Sequence, residues 1–410
     1  MENSTQPSKY TGNEAKYLKE VLERGVGAED LGAYNKKFEQ AFAEKFGVKY
    51  AIAQNSGTSA LHSCLMAAGV GQGDEVISPA LTVVMNTFAT LYQGATPVYA
   101  DVDPKTFVID PKDVEKKITP KTKAIFTVSL YGLSPDMDPI MELARKHNLI
   151  VIEDNAQCYL GKYKGRLVGT LGHMAIFSLE KSKHLSVSEG GVVITNDEKM
   201  ADRVRKFSGL GYWNLSASEG SARANKEALQ DPGYKRHDTL GFNYRMAEPV
   251  AALALAQTER MEEIVGRRQQ IASMYAKAIE GCSWLIPQEV REGYTHTYWT
   301  YVVKYEGEEQ IGVTWKDFYN AYKEMGGDGF YAAWSIPYLE PVIAEEKYLE
   351  LGSVYHGATF KYEKGYCPIA EEVQRKAMQF KTNYTDLELA ARKVEALQKT
   401  IEKYATFRTK

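Results

Sequence analysis

The sequence lacks any electrostatic excess. Its 410 residues carry 50 basic and 53 acidic side chains, a formal charge of −3. That balance gives no case for nucleic acid or an anionic membrane as the main partner. Cysteine is scarce. Cys64, Cys158, Cys282 and Cys367 stand far apart and form no CxxC pair. A zinc knuckle or a redox dithiol is therefore unsupported, and reduced, structural thiols are expected. Histidine is sparse as well, with 7 residues, and no spacing among them suggests a metal site. No apolar run approaches the roughly 18 uncharged residues of a membrane-spanning helix. The polar start, Met1–Ser8, lacks the apolar region of a secretory signal. A cytoplasmic protein is the expectation. No GxxxxGK[ST] loop occurs, and Gly69-Val70-Gly71-Gln72-Gly73 follows a helical pattern instead of a strand. A phosphate-binding P-loop and a dinucleotide fingerprint are thus both missing.

What is present is ordinary in bulk. Hydrophobic residues make up 44% and charged residues 25%, enough for a large core. The length suggests two or three domains, or one large α/β domain with an appendage. Residues 10–47 read as helices, with Phe38, Phe42 and Phe46 at helical spacing and a loop at Gly25–Gly32. From residue 48 the chain alternates strand and helix for about 150 residues, which predicts a parallel sheet wrapped by helices. The run Leu149-Ile150-Val151-Ile152 marks a strand buried on both faces. Residues 209–240 are polar and without periodicity. Pro249 then opens a helical pattern over roughly Val250–Ile279. The expected organisation is a helical segment at 1–47, a large α/β domain at 48–250, a long bridging helix at 251–280 and a small α+β domain at 281–410.

Three stretches could carry chemistry. In Asn55-Ser56-Gly57-Thr58-Ser59, small residues meet the start of an apolar helix, whose free N–H groups attract a phosphate. A plain helix cap by Ser56 or Thr58 is the competing explanation. Glu153-Asp154-Asn155-Ala156-Gln157 follows a buried strand, at the sheet edge where open α/β folds bind ligands. A buried Asp154 needs a cation or a hydrogen bond to meet it, although it could equally cap a helix. The third stretch, Phe177–Gly191, contains Lys181 and Lys183. Either lysine could be a nucleophile held in a partly buried loop, and either could be a solvated charge. His184 adjoins Lys183, whereas His62 on its apolar helix reads as core. A phosphate cradle, a buried carboxylate and a nucleophilic lysine together match the needs of pyridoxal phosphate.

At this point the chain resembles the DegT/DnrJ/StrS family of sugar aminotransferases, pyridoxal-phosphate enzymes of fold type I. The resemblance rests on S-G-T-S-A-L at 56–61, G-D-E-V-I-S-P-A at 73–80, G-A-T-P-V-Y-A-D-V-D at 94–103 and I-T-P-K-T-K-A-I at 118–125. It continues through L-Y-G at 130–132, D-M-D at 136–138, I-E-D-N-A-Q at 152–157, S-L-E-K-S-K at 178–183 and G-F-N-Y-R-M at 241–246. It implies an aspartate-aminotransferase-like α/β fold, with a large mostly parallel sheet domain binding the cofactor and a smaller C-terminal α+β domain. It also chooses between the lysines. The family's Schiff-base lysine lies five residues after a phosphate-binding serine, which from Ser178 is Lys183. By the same match Asp154 resembles the pyridinium partner. Gly57, Thr58, Ser59 and Ser178 resemble phosphate or ring contacts, and Gln157 a contact to the ring's oxygen side. Asn243 resembles a residue reaching the neighbouring subunit's phosphate, which implies a homodimer with shared active sites. His184 and Arg245 are candidate substrate contacts.

Three positions depart from the family pattern. Val83 stands where a ring-stacking aromatic is expected, His173 where Asp is common, and Ser129 where His often precedes L-Y-G. The implied function is transfer of an amino group from glutamate or glutamine to a keto sugar, most simply a nucleotide-linked one. Sugar dehydration is one alternative, disfavoured because Lys183 is kept. Amination of a keto-cyclitol is another, and a non-catalytic sensor on the same fold is a third.

Overall fold

The computed structural model describes residues 8–24, 32–220, 227, 230–352 and 360–405. Two helices, α1 (Glu14–Arg24) and α2 (Ala33–Phe46), open it. The Gly25–Gly32 loop between them lies outside the described residues, apart from Gly32. The phenylalanine spacing in α2 has a direct outcome. Phe38, Phe42 and Phe46 are all buried, and Phe46 packs 4.6 Å from the Phe177 ring on the central sheet.

The alternating region then follows: β1 (Tyr50–Gln54), α3 (Gly57–Ala67), β2 (Glu75–Pro79), α4 (Met85–Tyr92), β3 (Thr96–Ala100) and α5 (Pro111–Lys117). It continues with β4 (Thr122–Val128), α6 (Met137–His147) and β5 (Ile150–Asp154). A short hairpin comes next, β6 (Lys162–Tyr163) with β7 (Arg166–Leu167), followed by β8 (Met174–Ser178), β9 (Gly191–Thr195) and α7 (Glu198–Ser208).

Seven strands form one sheet in the order β1-β9-β8-β5-β4-β2-β3. Its neighbours pair in parallel except around β9, which is antiparallel to both β1 and β8. Register brings the functional ends together. Val128 lies opposite Asp154, and Gly191 lies opposite both Gln54 and Ser178. The fold is therefore the mixed, mostly parallel α/β architecture that the alternation predicts. The apolar run around residue 150 becomes β5, with Val151 and Ile152 fully buried.

The expectation of one bridging helix over 251–280 is corrected. The chain forms α8 (Glu248–Glu259) and α9 (Met261–Ala278), separated at Arg260, whose φ of −112° and ψ of 17° leave the helical region. No proline or glycine marks the break. Thr258 Oγ1 instead donates to Ala254 O at 2.8 Å, a back-bond that bends helices. The segment 209–240 also differs from a structureless loop where it is described. Isolated bridges Gly209↔Asn243 and Tyr212↔His237 pair its two ends.

The C-terminal part builds a three-stranded antiparallel sheet from β10 (Leu285–Pro287), β11 (Thr300–Tyr305) and β12 (Ala377–Lys381). It shares an apolar cluster with α9 and with helices Trp315–Glu324 and Leu387–Ala405. Among the described residues, no helix is long and apolar enough to cross a membrane.

Candidate active site

The corner between β1 and α3 is organised locally. Ser56 caps α3 by accepting from the Ser59 amide at 3.1 Å, and the Ser59 hydroxyl accepts from the Ser56 amide at 3.2 Å. This reciprocal box satisfies two donors at the helix start. The Ser59 hydroxyl also bonds Asn55 Oδ1 at 2.8 Å, so it is engaged within the corner. The Gly57 and Thr58 amides, in the first turn, remain available for an anion. Gly57 sits where a side chain would collide. An added Cβ would lie 2.9 Å from Ser178 Cβ and 3.2 Å from Ser178 Oγ. That closeness brings two free amides beside one hydroxyl, a cradle of the kind a phosphate monoester fills.

Asp154 ends β5, 3% exposed. Its Oδ1 accepts from the Ala156 amide at 3.1 Å, and its Oδ2 from Asn86 Nδ2 at 3.2 Å. Burial raises its carboxyl above the usual range, against the lowering effects of Ala156 N–H, Lys183 and Asn86. A carboxylate held this way is suited to a protonated ring nitrogen.

The lysine loop joins β8 to β9. Leu179 N donates to Gly190 O at 2.9 Å and Lys181 N to Ser188 O at 3.0 Å, closing its base. Within it the two lysines differ. Lys181 is exposed, whereas Lys183 is partly buried, with Nζ 4.8 Å from the centre of the Trp299 ring. Burial lowers the Lys183 pKa, while Asp154 and Glu180 oppose that and Arg268 adds to it. A buried amine with a depressed pKa is the form a nucleophile needs.

Sequence reasoning missed what fixes this loop. Arg268 on α9 is buried, and its shortest bonds go to carbonyls around the lysine, with a longer one from Nη1 to Thr382 Oγ1 at 3.5 Å. Its Nη2 donates to Lys183 O at 2.8 Å and Ser182 O at 3.1 Å, and its Nη1 to Trp299 O at 2.7 Å. Burial pulls its pKa down to about 9. Trp299 Nε1 adds a bond to Ser182 O at 2.9 Å. Arg268 and Trp299 sit in no motif, so only the tertiary contact reveals them. The same holds for Asn86 beside Asp154.

The other expected residues scatter. Gln157 is buried, its Oε1 accepting from the Tyr131 amide at 2.8 Å. Val83 is partly buried in the loop ahead of α4, close in sequence to Asn86. His184 is 3% exposed, and its Nε2 meets Thr297 O at 2.9 Å. Asn243 and Arg245 are exposed on the strip that returns past β1, where Asn55 N donates to Tyr244 O at 2.7 Å. Arg245 lines a separate cavity of about 540 Å³ beside α2, apart from Lys183. The two remaining departures are absorbed structurally. His173 Nδ1 accepts from Val151 N at 3.0 Å, and Ser129 Oγ donates to Asn155 Oδ1 at 2.7 Å. Among the described residues, no group of three or more His, Cys, Asp or Glu could hold a metal.

Known proteins are similar to this chain in sequence and fold. The profile of the DegT/DnrJ/EryC1/StrS aminotransferase family matches residues 9–378. GDP-perosamine synthase of Escherichia coli O157:H7 is 40% identical over 300 residues, covering 72% of this chain and 75% of that protein. The structure of the aminotransferase from Psychrobacter cryohalolentis superposes with a TM-score of 0.84 at 29% identity, covering 98% of this chain and 99% of that one. NtdA from Bacillus subtilis, solved with bound cofactor PMP, gives a TM-score of 0.76 at 25% identity, covering 96% of this chain and 83% of that one.

Proposed function

This chain belongs to the DegT/DnrJ/EryC1/StrS aminotransferase family, whose members use pyridoxal phosphate, and from that premise we propose that it aminates a keto sugar carried on a nucleotide. The amino donor is glutamate or glutamine. The 40% identity to a GDP-perosamine synthase supports a nucleotide-linked sugar in amino-sugar biosynthesis. The observation that carries the reading is buried Asp154 acting on the partly buried Lys183 at one sheet edge, beside the Gly57–Ser178 cradle.

The residues present fit the cofactor. The Gly57 and Thr58 amides and the Ser178 hydroxyl would hold its phosphate, and Asp154 its ring nitrogen. Val83 would pack on the ring and Gln157 would lie on its oxygen side. When bound, pyridoxal phosphate withdraws electrons from the substrate Cα. Asp154 keeps the negative charge that the protonated nitrogen needs. Lys183 Nζ would hold the cofactor, and as a free amine it would take and return the proton at the substrate Cα. Arg268 holds the loop so that this amine stays in reach. Asn243 would serve the neighbouring subunit's phosphate in a homodimer with shared sites, and the working place is the cytoplasm. Arg245 and His184 remain candidates for substrate recognition.

The purified protein should be yellow and should bleach on adding glutamate. Lys183→Ala should lose the borohydride-reducible linkage. A protein that stays colourless with added pyridoxal phosphate, or a Lys183→Ala variant that still forms the linkage, would defeat the reading.

A further inference from the structure

A second feature touches Lys183 from another side. A cavity of about 240 Å³ is lined by Lys9, Lys181, Lys183, His184 and Arg268, among others. Its charge is one-sided. Arg260 and Arg267, also on its wall, are answered by Glu263 at 2.8 Å and 2.7 Å. Lys9, Lys181, Lys183 and Arg268 have no carboxylate within 4.0 Å among the described residues. Lys9 crosses from the N-terminal segment, donating through Nζ to Ser186 Oγ and to Lys181 O. Arg268 spends its bonds on three carbonyls and the Thr382 hydroxyl. Glu180, an opposing charge that acts on both Lys9 and Lys183, is occupied by the Ser182 amide and hydroxyl at 2.9 Å and 2.6 Å.

His184 adds a second kind of group. Thr297 O can only accept, so the 2.9 Å bond puts the hydrogen on Nε2. Nδ1 is then a bare acceptor, and it is buried without a partner. Burial, with Arg268 nearby, holds the ring neutral by lowering its pKa well below the usual value. Cations for a carboxylate thus line one cavity that includes Lys183, with the His184 ring among its lining residues. Size points the same way. A 240 Å³ space falls below the roughly 300–1,000 Å³ of pockets for drug-sized ligands, which suits an amino acid better than a sugar nucleotide.

We propose that this cavity is the anion subsite for the amino donor, with Lys9 and Lys181 holding a donor carboxylate beside Lys183. The inference rests on the aminotransferase reading above. A sugar-nucleotide phosphate offers the same anionic chemistry, so the test separates the two.

The holoenzyme and its Lys9→Ala/Lys181→Ala double variant are compared in two ways. Steady-state kinetics should show the glutamate KM rising about tenfold more than the keto-sugar-nucleotide KM, as for loss of a charge-assisted bond. Calorimetry with glutarate, which keeps both carboxylates and lacks the amine, should show binding weakened by a similar factor. A larger rise in the sugar-nucleotide KM would overturn the donor assignment and give the site to a phosphate. Equal KM values and equal glutarate binding would overturn the anion subsite altogether. A wild-type enzyme that accepts no amino donor would instead sink the aminotransferase reading, and the glutarate comparison would still decide the cavity.

Discussion

Two corners of the same sheet edge are held in opposite ways. The Ser56–Ser59 corner is fixed by its own residues, each bonding a neighbour no more than four positions away. The Ser178–Gly191 loop is fixed from afar. Arg268, 85 residues from Lys183, and Trp299, 117 residues from Ser182, supply its bonds. The first corner presents backbone amides, which a local turn can aim alone. The second presents a long, flexible side chain, whose carbonyl frame must be pinned by another part of the fold. A binding site for a fixed phosphate can be local, while a moving nucleophile needs tertiary support.

The comparison breaks most visibly at Arg268. Arg268→Met should leave Lys183 O without its donor, while Ser182 O and Trp299 O keep bonds from Trp299 Nε1 and Thr382 Oγ1, and should lower stability by about 2 kcal/mol. It should also cut turnover about 100-fold, because small misplacements of the nucleophile are costly. Denaturant melts and steady-state rates check both. Stability lost without loss of rate would mean that the loop needs no distant clamp.

The local corner has a pH signature. His62 on α3 is 4% exposed, and burial lowers its pKa to about 4. The unfolded chain takes its proton near the ordinary value of about 6.5. Its contribution to stability is therefore present above about pH 6.5 and lost as pH falls toward 4. The full loss is about 3 kcal/mol. His62→Phe should flatten this slope, read from urea midpoints between those two pH values.

Gly57→Ala should weaken cofactor binding about tenfold, since the new Cβ meets Ser178 at 2.9 Å. Spectroscopic titration of the apo protein with pyridoxal phosphate measures it, and an unchanged affinity would place the phosphate elsewhere. The smallest effect belongs to Ser59→Ala. Loss of half the capping box should cost about 1 kcal/mol of stability. Cofactor affinity should stay within about twofold, because the hydroxyl is already engaged.

The same contrast explains what could be read in advance. The helix carrying Phe38, Phe42 and Phe46 and the strand holding the apolar run Ile150–Ile152 emerge where period and composition assign them. Each is a local pattern. The S-G-T-S-A-L corner is likewise legible, because its capping bonds join Ser56 and Ser59 within that short run. Arg260, where the long helix breaks, is preceded by Gln-Thr-Glu and followed by Met, none of them a helix breaker. Its departure from the helix has only the Thr258 back-bond as a local cause. Arg268 looks like any arginine on an amphipathic helix. Only the folded chain shows that it is buried against the lysine loop, because that partner is set by tertiary contact. The strip carrying Asn243 and Arg245 is legible as a motif, yet its contact with Asn55 is set by the fold.

The antiparallel placement of β9 has a consequence for how this chain can change. Because β8 and β9 are neighbours joined directly, the nucleophile rides on the turn of a wide hairpin with both feet in the sheet. Lengthening such a turn costs little, since closure entropy grows only slowly with loop length. The sheet would tolerate an insertion there while the lysine lost its hold on α9. Foldedness and chemistry are therefore separable at this one turn, and a lineage could fall silent as a catalyst while keeping its shape intact.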